Sequence, residues 1–203
     1  MKKIVMMAVV SMLCLCGCSK EIRIVGHSDS VPEIFPDYRY VTVPANISPL
    51  NFEVCDAGQA KDWALKIETG NDVRHIRAYK GAFTFGYRFW KRLLEDAKGN
   101  AMTLTLCEKT DSGWYSCDPF IINVAAEEMD PYLVYRLIPP GYSLWKEMGI
   151  YQRDLTSFNE TAIYRNTQGR GNCVNCHSFN ERNPDQILFH MRSELAGNYI
   201  SRD

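Results

Sequence analysis

The sequence predicts a mainly β protein: an immunoglobulin-like β-sandwich with one short helix, followed by an irregular segment that carries a C-x-x-C-H motif. Between residues 37 and 125, short apolar stretches alternate with turn-forming residues at intervals of about 8–12 residues, the spacing of sandwich strands. Hydrophobic residues make up 46% of the 203-residue chain and aromatic residues 12%, which is enough to bury a core. The net charge of −1 and the lack of a basic patch give no reason to expect a nucleic-acid partner.

The strands predicted for the sandwich follow one another along the chain with a single interruption. They cover residues 38–43, 50–54, 63–68, 73–79, 82–87, 102–108 and 114–124. The interruption is residues 89–98, where apolar residues recur at helical spacing, and Gly99 follows as a helix stop. We therefore expect one short helix across the sandwich, with its aromatic side chains in the core.

The first 17 residues have the features of a lipoprotein signal peptide. Two lysines precede an apolar run over residues 4–15, which is shorter than the roughly 20 residues needed to span a bilayer. The run ends in L-C-G-C-S, which resembles the lipobox of bacterial lipoproteins. That resemblance implies cleavage before Cys18, acyl chains such as palmitate on Cys18, and an outer-membrane location facing the periplasm or the cell surface, with Ser19 as the sorting residue. An ordinary signal peptide that ends in cysteine is the alternative.

The remaining chain divides into three parts. Residues 18–36 contain two prolines and no periodic apolar pattern, so they are expected to form a tether. The sandwich covers residues 37–125, and a charged, proline-containing stretch then marks the start of the irregular segment, residues 126–203. The implied lipid anchor makes the membrane one partner, and envelope proteins are the other candidates.

Two cysteines flank a predicted hairpin in the sandwich. A three-residue loop ending at Gly113, with positive φ there, would pair residue 110 with residue 114 and place Cys107 opposite Cys117. Facing cysteines in an exported protein are expected to form a disulfide, while two small buried thiols are the alternative. The state of Cys55 is left open.

The C-x-x-C-H motif is the most specific chemical signal in the chain. In G-R-G-N-C-V-N-C-H-S-F, Cys173 and Cys176 have the spacing that bonds two thioethers to one porphyrin edge, and His177 is placed to ligate the iron. Two candidate distal ligands follow, His190 and Met191. In a strand they point to opposite faces, so only one of them could reach the iron.

Other uses of the two cysteines remain open. C-x-x-C can be half of a zinc site, but no second ligand pair follows within the remaining residues. It can also be a redox dithiol or a tight disulfide. The predicted export of the chain favours haem, because covalent haem is attached outside the cytoplasm. The signal peptide and the C-x-x-C-H motif then indicate the same compartment.

Two functions follow from these alternatives. The first is a membrane-anchored lipoprotein with covalent haem c and an electron-transfer role in the cell envelope. The second is a non-enzymatic binding or scaffold lipoprotein with a disulfide between Cys173 and Cys176. An enzymatic function has little support, since the sequence contains no phosphate-binding loop, G-x-S-x-G or H-E-x-x-H.

Several strings over residues 35–192 resemble one family of outer-membrane lipoproteins, often labelled TolB-like or cytochrome c biosynthesis proteins. They are I-F-P-D-Y, D-P-Y-L-V-Y-R-L-I-P-P-G-Y, G-I-Y-Q-R-D-L-T-S-F, C-V-N-C-H-S-F and F-H-M-R. The resemblance implies an immunoglobulin-like module, a linking segment with one C-x-x-C-H, and a C-terminal β-propeller. The sequence ends at Asp203, where the propeller would begin, so any function of the propeller is expected to be absent.

Overall fold

A computed structural model of the chain describes residues 22–55, 60–168 and 171–202. The predicted signal peptide and the predicted lipidation site Cys18 lie outside the described residues. Within them the fold is mainly β with one α-helix and several sheets, which confirms the predicted fold class.

The first module contains ten strands and the helix. The strands are β1 (Ile24–His27), β2 (Ile34–Phe35), β3 (Thr42–Val43), β4 (Phe52–Val54), β5 (Asp62–Thr69), β6 (Asp72–Arg77), β7 (Ala82–Phe83), β8 (Ala101–Thr110), β9 (Gly113–Ser116) and β10 (Phe120–Val124). Strands β2, β4 and β7 form a small sheet, and the other seven form a larger one. The ten residues of β8 are long enough to pair with β5 on one side and with β9 and β10 on the other.

The core of this module lies between the two sheets and the helix α1 (Tyr87–Ala97). Phe52 and Phe83 contribute from the small sheet, and their rings lie 5.0 Å apart. From the helix, Trp90 is buried in the core, and its Nε1–H donates to the carbonyl of Ile47 at 2.9 Å. Gly99 follows with a φ of 74°. The predicted short helix with core aromatic residues is therefore confirmed.

The segment expected to be a tether contributes two strands instead. β1 pairs in parallel with β9, and β2 pairs with β4 in antiparallel orientation. Ile34 is buried in the core of the sandwich. The prediction was wrong here because these strands are only four and two residues long, too short to show an alternating pattern.

The predicted register of the β8–β9 hairpin was wrong by one residue. Thr110 pairs with Gly113, so the loop has two residues and Cys107 lies opposite Ser116. A Cβ atom at position 113 would lie 2.7 Å from the side chain of Val25 in β1. Gly113 therefore allows β1 and β9 to approach each other closely. Cys107 and Cys117 pack in different apolar clusters, and both are free thiols in the structure.

The segment after the sandwich is more regular than expected. It forms six strands: β11 (Tyr132–Leu137), β12 (Gly149–Asp154), β13 (Glu160–Arg165), β14 (Cys173–Phe179), β15 (Gln186–Arg192) and β16 (Gly197–Arg202). They make two antiparallel sheets of three strands each, in the order β11-β12-β13 and β14-β15-β16. Strands such as β11 and β13 have no fully buried position, so their sequences lack the alternation that would have predicted them.

The β11-β12-β13 and β14-β15-β16 sheets, called the two small sheets from here on, pack face to face through Ile150, Val174 and Ile187. Reciprocal hydrogen bonds join the sandwich to the segment before β11: the Asn46 side chain donates to the carbonyl of Met129 at 2.9 Å and accepts from its N–H at 3.0 Å.

Candidate haem attachment site

The C-x-x-C-H motif lies on β14, at one edge of the β14-β15-β16 sheet, and a β-bulge interrupts it. Cys173 pairs with Arg192 and Val174 with Met191, but the next pair joins His177 to Phe189. Two residues of β14, Asn175 and Cys176, therefore oppose the single residue His190 of β15.

The bulge decides which face of the sheet each motif side chain takes. In a regular strand, residues three positions apart point to opposite faces, which would separate the two cysteines. The extra residue reverses the alternation, so Cys173 and Cys176 share one face. Their exposure agrees, since Val174 and Asn175 are buried, Cys173 is half-buried and Cys176 is exposed.

We name the two faces of this sheet by their surroundings. The inner face packs against the β11-β12-β13 sheet and carries Val174, His177, Phe179, Ile187, Phe189 and Met191. The outer face carries Cys173, Cys176, Ser178, Leu188, His190, Arg192, Asn198 and Ile200. The motif is therefore divided, with both thiols on the outer face and the imidazole of His177 on the inner one.

Two buried asparagines hold the bulge in place. The side-chain oxygen of Asn166 accepts from the N–H of Val174 at 2.9 Å, and its amide nitrogen lies 3.2 Å from the carbonyl of Trp145 and 3.8 Å from Cys173 Sγ. Asn175 accepts from Arg136 Nη1 of β11 at 2.5 Å. Sequence reasoning missed both asparagines, because nothing in the local pattern distinguishes them from ordinary turn residues.

His177 is half-buried and lines a groove of about 710 Å³ between the two small sheets. Its ring meets that of Phe179 edge-on, with centroids 6.3 Å apart. The walls also carry Gln152 and the charged groups Arg182 and Asp185. The volume is in the range of small-molecule sites, but the groove opens on the face of the sheet opposite the two thiols.

The two candidate distal ligands, His190 and Met191, lie on opposite faces, as expected for strand neighbours. The outer-face residue His190 is half-buried, and its Nδ1 lies 3.0 Å from Asn198 Oδ1. Met191 is buried on the inner face, with its sulfur 4.0 Å from the hydroxyl of Tyr164. Burial raises the pKa of Tyr164, so this phenol stays protonated and can donate to the thioether.

The two thiols of the motif fit covalent attachment of a haem, but the position of the histidine does not. Both thiols are free, they share the outer face, and Cys176 is solvent-exposed, as thioether formation requires. The imidazole of His177 does not share that face. Among the residues that the structure describes, no three His, Cys, Asp or Glu side chains converge to hold a metal ion, so no zinc-type cage is present there.

The fold and the site define a mainly β protein with a sandwich module and a pair of small sheets, one of which presents two adjacent thiols. No family model and no curated protein matches this chain. Over residues 22–55, 60–168 and 171–202, no helix is long and apolar enough to cross a bilayer.

Proposed function

We propose that this chain is an outer-membrane lipoprotein, anchored through Cys18, that carries a covalent c-type haem and transfers or stores electrons in the cell envelope. The observation that carries the proposal is the bulge in β14, which brings Cys173 and Cys176 to one accessible face although an unbroken strand would separate them. The N-terminal export pattern supports the same compartment as covalent haem attachment.

The residues take simple roles in this proposal. Cys173 and Cys176 would hold the porphyrin by two thioethers, and the motif assigns the iron ligand to His177, whose imidazole lies on the opposite face of the sheet. The bound haem would supply one-electron redox chemistry, and the protein would position it and limit its contact with water. We regard the chain as an electron carrier rather than an enzyme, with a membrane-side redox partner in the envelope.

Expression with and without a c-type haem maturation system tests this function. We expect a covalent haem band and a reduced pyridine haemochrome spectrum from the wild-type chain. Both should be lost when Cys173 and Cys176 are changed to serine together. Cys55→Ser is the matched control, because Cys55 is an exposed cysteine of the sandwich and should leave haem content unchanged. A wild-type chain without covalent haem in the matured sample would refute the proposal.

A second candidate is a binding or scaffold lipoprotein in which Cys173 and Cys176 form a disulfide. The observation that favours it is the position of His177, which lies on the face opposite the two thiols. Alkylation under denaturing conditions, before and after reduction, separates the two candidates in protein isolated from the envelope. Two additional labels on the tryptic peptide 171–182 after reduction, with no haem present, would support the disulfide.

A further inference from the structure

We propose that the groove between the two small sheets is a binding site for a short neutral oligosaccharide. This is the groove of about 710 Å³ that His177 lines, on the face of the β14-β15-β16 sheet opposite the two thiols. The site goes beyond the proposed haem function and does not require a haem to be attached.

The groove is lined by polar side chains that have no partner in the protein. Gln152 comes from β12 and His177 from β14, and Arg182 and Asp185 come from the connection between β14 and β15. Within the part of the chain that the structure describes, no hydrogen bond or ion pair joins any of these four side chains to another group. Gln152 and His177 are half-buried, so a polar ligand in the groove would supply hydrogen bonds that the fold does not.

A second cleft, of about 530 Å³ beside α1, differs in this respect. Its charged side chains pair with each other, Lys91 with Glu95 at 3.9 Å and Lys98 with Glu128 at 3.6 Å. The indole N–H of Trp90 on its wall already donates to a backbone carbonyl. The groove between the two small sheets therefore offers a ligand more unmet hydrogen bonds than this cleft.

The chemistry of these side chains matches hydroxyl groups. Arg182 donates hydrogen bonds, Asp185 accepts them and Gln152 does both, while a sugar hydroxyl is donor and acceptor at once. The charges on the lining nearly balance, because Asp130 and Asp185 face a single arginine, Arg182. The groove therefore does not select a strongly charged ligand.

The walls also provide the apolar surface on which a sugar ring packs. Tyr132 of β11 is 55% exposed, and Phe179 of β14 is half-buried. A peptide is a weaker match, because the walls are sheet faces whose backbone groups pair within each sheet, as at Val134 with Gln152 and Phe179 with Ile187. A wholly apolar ligand would leave the polar side chains unpaired.

The backbone at Arg182 supports a binding role for its guanidinium. Glu181 and Arg182 have φ angles of 50° and 65°, in the left-handed region that residues other than glycine rarely adopt. Consecutive residues in this conformation form the turn that places Arg182 on the groove. Backbone of this kind is concentrated at sites that hold ligands.

Glycan binding to the full chain, with and without attached haem, tests the inference. An array presents neutral oligosaccharides beside their uronic-acid analogues, and isothermal titration calorimetry measures the glycans that bind. We expect neutral glycans to bind, and Arg182→Ala and Gln152→Ala each to weaken binding about fivefold or more. Lys91→Ala, in the second cleft, is the matched control and should bind as wild type. Binding by the haem-free chain supports the inference whatever the outcome for haem.

Chemical footprinting of the haem-free wild-type chain locates the bound glycan. A saturating glycan should slow the modification of His177 by diethyl pyrocarbonate, while the exposed His75 of the sandwich reacts as before. No binding at millimolar glycan, binding of uronic acids alone, or unchanged affinity in both variants would overturn the inference. If a variant does not fold, the footprint of the wild-type chain decides, and equal modification of His177 with and without glycan overturns the site.

Discussion

The side chain of Asn166 offers a sharp test of how the motif strand is held. It is fully buried, and the change Asn166→Ala removes two hydrogen bonds at once. The N–H of Val174 is buried and loses its acceptor at 2.9 Å, which costs about 1–3 kcal/mol. The bond to the part-buried carbonyl of Trp145 is worth about 1 kcal/mol more. We therefore expect the motif sheet to lose about 2–4 kcal/mol of local stability.

Amide hydrogen exchange measured by mass spectrometry detects this loss where it occurs. A loss of that size should raise the exchange rate of the slow amides in β14 and β15 by about thirty-fold to a thousand-fold, while β5 and β8 of the sandwich keep their protection. The same change should speed alkylation of the half-buried Cys173, because the destabilised strand opens more often and exposes its sulfur.

A matched control is Asn180→Ala, which removes an exposed hydrogen bond to Gln186 on the same sheet. It should change local stability by less than about 0.5 kcal/mol. If Asn166→Ala exchanged no faster than Asn180→Ala, the role assigned to the buried amide would be wrong.

Three further outcomes are expected. In the haem-free protein, alkylation of Cys107 should be on the order of a hundredfold slower than that of the exposed Cys176, because burial raises the pKa of Cys107 to about 11; similar rates in peptide mass spectrometry would contradict this. The hydrogen bonds from Arg39 lower the pKa of Asp37 to about 2, so Arg39→Ala should return it toward 3.8 in an NMR titration. Because this pKa is lowered, the stabilisation by Asp37 is present above about pH 4 and is lost as the pH falls toward 2; an unchanged midpoint in the variant would count against the ion pair. Trp90→Ala should destabilise the sandwich by about 3–5 kcal/mol in urea unfolding, and a loss below about 1 kcal/mol would show that the core tolerates the cavity.

The sequence predicted the parts of the fold that have a strong local pattern. The alternating apolar residues of β5 and β8 pack directly into the core, and the helical spacing around Trp90 corresponds to α1. The short strands β1 and β2 and the half-exposed strands of the two small sheets were missed, because their pairing depends on distant residues. Gly113 is an example: a side chain at this position would collide with Val25, which lies 88 positions earlier in the chain, and no local pattern reveals that contact.

The candidate site shows the same division. The identity of Cys173, Cys176 and His177 follows from the motif alone, and so does the rule that His190 and Met191 face opposite ways. The faces on which they lie do not follow, because one extra residue in β14 reverses the alternation. A bulge has no reliable signature in a single sequence.

If the chain is the lipoprotein proposed above, the pairing of β1 with β9 limits how far the sandwich can stand from the membrane. Strand β1 starts at Ile24, six positions after Cys18. Extended chain covers at most about 3.6 Å per residue, so those six positions reach roughly 20 Å. A free tether up to residue 37 would have reached more than about 60 Å. With Cys18 acylated, the sandwich would rest close to the lipid headgroups, and any electron acceptor would have to approach along the bilayer surface.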